Sequence, residues 1–176
     1  MLALLLLAGA LHAASSEQGV LEVRIKDHRE AIGDFSRLTL KLGTIGISSR
    51  AGLAFWKTGW RELPPSVESI DLTQYTGKRS VAVFTGAVNA GSFDAIRLDV
   101  AAIEAIPKKT RRPASIKNLL TPIKLSFFIE PERKTAIILD LVVLDMSDHP
   151  PRGYELGIKG YELYHDGKLV DKIPPG

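Results

Sequence analysis

The residues able to do chemistry are few and scattered. The histidines are His12, His28, His149 and His165. Three of them neighbour an aspartate, in Asp27-His28, Asp148-His149 and His165-Asp166. Gathered at one end of a fold, such pairs could hold a divalent ion through imidazole and carboxylate. Their spacing matches no metal motif, and on turns they read as solvated polar residues, so no metal is expected. The chain has no cysteine, which excludes disulfides, thiolate metal sites and thiol nucleophiles. No Gly-x-Ser-x-Gly elbow occurs, and with it goes the hydrolase signature. Thr76-Gly77-Lys78-Arg79-Ser80 ends like a phosphate loop, but Leu72 stands where that loop requires glycine. Asp140 lies inside the most apolar stretch of the chain. A buried carboxylate needs a partner, and Arg97 is the candidate. These absences lead to the expectation of no catalytic residue, no cofactor and no enzymatic activity.

Two segments have the chemistry of recognition. Lys108, Lys109, Arg111 and Arg112 place four cations in five residues. Like charges packed so closely repel, so the segment should be an exposed loop. It would suit an acidic protein partner, an anionic surface or an acidic glycan; its alternative is a solvated hairpin tip. Phe55, Trp56 and Trp60 form an aromatic cluster around Lys57 and Gly59. Exposed, these rings could stack on a sugar or dock a protein; buried, they would cap the core. The formal net charge is only +3. Nucleic acid needs a concentrated basic face, and none is expected as a partner.

The elements that must position these residues are strands. The chain of 176 residues is 45% hydrophobic, which suits one domain with a sizeable core. Leu21, Val23 and Ile25 alternate with Glu22, Arg24 and Lys26, as in a half-buried strand. Leu38, Leu40 and Leu42 repeat the pattern, which resumes at Ile45 and Ile47 past a bulge at Gly43. Further strands are expected in Phe55–Leu63, Val67–Leu72, Ser80–Phe84, Ile96–Val100 and Ile123–Ile129. Thr135–Leu144 should be a central strand buried on both faces, and Tyr154–Tyr164 the last. Gly86–Gly91 reads as a turn-rich link, and Pro107–Pro113 as the basic loop. The chain has 15 Gly and 10 Pro, enough to punctuate many short segments. About eight strands joined by such links imply an antiparallel β-sandwich.

The N-terminal segment is different. Leu2 to Leu11 is an apolar run followed by small residues, with the size of a signal-peptide core. It is too short to span a bilayer, which takes about 20 residues. The expected organisation is a leader over residues 1–16, a sandwich over 17–166 and a polar tail over 167–176. The mature chain would start between Leu11 and Ser16. No basic residue precedes the run and no cysteine follows it.

Three stretches together resemble a family of exported prokaryotic domains of unknown function. They are Gly19-Val-Leu-Glu-Val-Arg-Ile-Lys-Asp27, then Ile70-Asp-Leu-Thr with Gly91-Ser-Phe-Asp-Ala-Ile-Arg-Leu-Asp99, and Ala136-Ile-Ile-Leu-Asp-Leu141. The resemblance covers Gly19 to Leu163. It implies an immunoglobulin-like or transthyretin-like sandwich behind a signal or lipoprotein leader, and it implies no activity. The expectation is a cell-envelope interaction module in the periplasm, on the surface or secreted. Such a module would be an accessory subunit of a membrane complex or a surface adhesin. It would meet the membrane peripherally or through an uncleaved leader. The other expectation is a carbohydrate- or small-ligand-binding domain using Phe55, Trp56 and Trp60.

Overall fold

The computed structural model describes residues 17–49, 59–148 and 153–173. The leader, Phe55, Trp56 and His149 lie outside the described residues. The chain is all-β, and its strands form two facing sheets. The first sheet holds β1 (Gln18–Asp27), β5 (Val81–Asn89), β7 (Ile116–Asn118), β9 (Lys134–Asp145), β10 (Tyr154–His165) and β11 (Lys168–Ile173). Its order is β11-β10-β9-β1-β5, with β7 beside β10. The second holds β2 (Phe35–Ser49), β3 (Trp60–Leu63), β4 (Ser69–Asp71), β6 (Gly91–Pro107) and β8 (Ile123–Ile129). Its order is β3-β2-β6-β8, with β4 beside β2.

Alternation decides the faces. Leu21, Val23 and Ile25 are fully buried, whereas Arg24 and Lys26 between them are only half-buried and turn away from the core. Leu38, Leu40, Leu42, Ile45 and Ile47 all reach the core. They do so because the pairing of β2 with β6 slips between Leu42 and Ile45, which restores the inward phase after Gly43. Phe127 stacks on Phe93 with ring centroids 5.1 Å apart and seals the interior between β8 and β6. The Thr135–Leu144 strand is β9, flanked by β1 and β10 with most of its residues buried.

Most neighbours are antiparallel, but β1 pairs with β9 in parallel, as does β7 with β10. Among the described residues there are eleven strands, where about eight were expected. Gly86–Gly91 is not a link. β5 continues through it because Gln18 pairs with Asn89 and Leu21 with Gly86, and the chain crosses between the sheets at Ala90 alone. Residues 167–176 are not simply a tail, since Lys168–Ile173 is strand β11. It hairpins back on β10 through Asp166 and Gly167, both at positive φ (46° and 78°). That conformation is the one an Asp-Gly two-residue turn supplies.

Candidate functional site

Pro107 ends β6, and the backbone then closes a tight loop. Arg111 N–H donates to Pro107 O at 3.0 Å, and Ala114 N–H donates to Ala105 O at 2.9 Å. Arg111 takes a left-handed conformation (φ 53°) to complete the turn. Lys108 anchors the loop to the short turn Ala31–Asp34: its N–H donates to Asp34 O at 2.8 Å and its Nζ to Gly33 O at 2.7 Å. Lys108, Lys109, Arg111 and Arg112 are all exposed. Among the described residues none of the four is held in an ion pair. The loop is therefore presented to solvent with its charge unspent.

A groove of about 680 Å³ opens beneath it. Pro107, Pro113 and Tyr154 give it an apolar lining, and Lys108, Lys109 and Arg112 stand on its rim. Arg111 does not line it. Tyr154 is fixed by edge-on packing against Phe35, with centroids 4.7 Å apart. Its hydroxyl donates to Asp34 Oδ2 at 3.2 Å. Burial and the Asp34 charge hold that phenol above its usual value. Asp145 lies across the groove, its carboxyl held below the usual range by hydrogen bonds from Ser147, with Lys109 adding its charge. The groove thus sets cationic rim residues beside an apolar floor, with Asp34 and Asp145 also among its lining.

The aromatic candidate is only partly visible. Trp60 opens β3 and is half-buried. The Arg97 guanidinium lies 4.8 Å from its ring centroid. Glu62 and Asp99 hold Arg97 there as ion pairs, so a guanidinium of the chain itself lies over the ring. Trp60 also borders a groove of about 610 Å³ with Tyr161, Asp94, Asp171 and Lys124. Burial, then the hydrogen bond to Asp171, pushes the Tyr161 phenol up to about 12.

The Asp27-His28 and His165-Asp166 pairs do not converge, and His149 of the third lies outside the described residues. Asp27 stands opposite Leu141 on β9, whereas His165 stands opposite Thr135 at the other end of that strand. Among the described residues no three metal-ligating side chains form a cluster. Asp140 is not paired with Arg97, which belongs to the other sheet and is committed to Glu62 and Asp99. Its partners are Lys26 Nζ and His28 Nδ1, each 3.5 Å from Oδ2. Lys26 also binds Glu162 at 2.9 Å, and Lys172 lies 3.7 Å from the same oxygen. Sequence reasoning missed Lys26 and Glu162. The only available signal was their polar type within strands of alternating pattern.

Fold and surface together define a two-sheet β-sandwich with a cation-rimmed groove at one end. A family model described as a domain of unknown function (DUF4382) matches residues 18–156, and the chain belongs to that family. The matched span stops within β10, short of β11. Comparison with curated proteins and with solved structures finds no match.

Proposed function

We propose that the protein is a non-enzymatic interaction module of the prokaryotic cell envelope. It docks an acidic protein partner, as an accessory extracytoplasmic subunit of a membrane complex or as a surface adhesin. The supporting observation is the exposed, unpaired Lys108–Arg112 loop on the rim of a groove lined by Pro107, Pro113 and Tyr154. Beyond the Lys108 contact with Gly33 O, these four cations give the fold little, since even an exposed ion pair contributes only about 0–1 kcal/mol. Their field reaches about 8 Å at physiological salt and acts on association rate and partner choice.

The test replaces Lys108, Lys109, Arg111 and Arg112 together by Ser. The variant should melt within about 4 °C of the parent, because about 1 kcal/mol moves Tm by roughly 2–4 °C at this size. It should co-purify with native envelope fractions at least about tenfold less at low salt, the gap closing as salt rises. Equal co-purification at every salt concentration overturns the electrostatic site. Docking would then pass to the Trp60 groove. Its pairing of Trp60 and Tyr161 with Asp94 and Asp171 suits a glycan or small ligand.

A further inference from the structure

An amine and a carboxyl group condense to an amide when they are held in contact, shielded from water and given a group that moves protons between them. The first sheet brings such groups together on the face turned away from the core, where Lys26 and Asp140 line the floor of an open groove. β1 and β9 run parallel, with Lys26 directly opposite Asp140. Lys26 Nζ lies 3.5 Å from Asp140 Oδ2 and 2.9 Å from Glu162 Oε1. Gly160, opposite Asp140 on β10, places no side chain between Asp140 and Glu162. The three side chains are only 14%, 8% and 15% exposed. Every other ion-paired lysine or arginine described is at least 27% exposed. Asp140 Oδ1 is buried with no hydrogen-bond partner.

We propose that Lys26 and Asp140 condense into an intramolecular isopeptide bond, with Glu162 as the proton carrier. The ammonium proton passes through Glu162 to the Asp140 carboxylate, leaving a neutral amine and a carboxylic acid. Nζ attacks Cγ and the new C–N bond forms. Glu162 takes the second proton from nitrogen and delivers it to the departing hydroxyl. The C–O bond breaks and one water leaves. Nothing is oxidised or reduced, and no co-reactant is needed. Burial pushes the Lys26 ammonium down, but the hydrogen bond to Glu162 and the Asp140 charge raise it more. Lys26 thus rests as the ammonium, and reaction proceeds from its minor neutral form. Each molecule reacts once, so a small reactive population is enough. His28 Nδ1, also 3.5 Å from Oδ2, lies beside the oxygen that leaves, on the same side as Lys26, so that the buried Oδ1 becomes the amide carbonyl. The inference is independent of the docking groove.

Intact-mass spectrometry of the purified, denatured full chain tests it. The wild type should be lighter than its sequence by one water. A protease digest should yield a branched peptide joining the segments around Lys26 and Asp140. Lys26→Arg should have its full mass. Glu162→Gln, shown to be folded by circular dichroism, should have it too. A wild-type chain at full mass overturns the proposal, as does a water loss mapped to any other pair. Because the wild-type measurement decides, a variant that fails to fold does not blunt the test. A Glu162→Gln chain that still loses water removes Glu162 from the step.

Discussion

Asp27 is the most consequential single residue outside the groove. It follows the inward phase of β1, is fully buried, and has an oxygen without a donor. Its other oxygen accepts from Arg29 N–H at 2.6 Å. Burial, above all, pushes its carboxyl up to about 6; Asp140 and Glu30 add to the rise, while the Arg29 hydrogen bond and His28 oppose it. The folded value is above the unfolded value of 3.8. Between those values the folded state holds a proton that the unfolded chain has lost. This contribution is therefore full below about pH 4 and disappears as pH rises through about 6. Asparagine imitates the protonated form and keeps the Arg29 contact. Asp27→Asn should stabilise the protein at pH 8 by up to about 3 kcal/mol, at about 1.4 kcal/mol per unit. The advantage should vanish near about pH 4. Glu22, held low by Lys134 and Arg24, and Glu162, held low by Lys26, Tyr164 and Lys172, have partners that outweigh burial, and both lose stability as pH falls. They do so equally in both proteins, so the difference isolates Asp27. Thermal melts at both pH values check this; an identical Tm difference at the two values would refute it.

At the scale of elements, β11 is the least supported strand. All six of its residues are exposed. It is held by pairing with β10, with a register shift between Leu163 and Tyr164. A Cβ at Gly160 would run into the carbonyl oxygen of Ile173. Gly160→Ala should cost about 1–3 kcal/mol locally, the usual scale of overpacking. Hydrogen exchange at β11 amides should speed up while those of β1 and β9 keep their protection, as a local opening requires; unchanged exchange in β11 would contradict this. The same hairpin shows what was legible in the sequence. Period-two alternation located β1, β2, β6 and β8, because each buries one face against the core, and an unbroken apolar run located β9. Residues 167–176 read as a polar tail because Lys168–Ile173 lacks a buried face and so lacks the alternation that marks a strand. The exposed basic loop was readable because crowded charge has only one place to go. The partners of Asp140 were not readable, since strand order sets them and no local spacing encodes strand order. Trp60 could be named, but the guanidinium over its ring comes from Arg97 on another strand.

At the scale of the whole molecule, strand directions set how the sandwich bears load. β1 and β9 run the same way, β10 runs against them, and β11 turns back to run with β1. Tension applied at Gln18 and Ile173 therefore pulls β1 and β11 past each other along their length, through β9 and β10 between them. The hydrogen bonds between them are stressed in shear, many at once, rather than peeled open singly. A covalent link from Lys26 to Asp140 would divert that load. Force would pass from β1 directly into β9, and everything between the two residues would stay slack. In single-molecule stretching, wild type should extend less than Lys26→Arg by roughly 400 Å, at about 3.5 Å for each residue kept out of the line of force. Equal extensions would mean that β1 and β9 are joined by hydrogen bonds alone. With the link in place, the part of the molecule that carries tension is short, and most of the sandwich is sheltered from it.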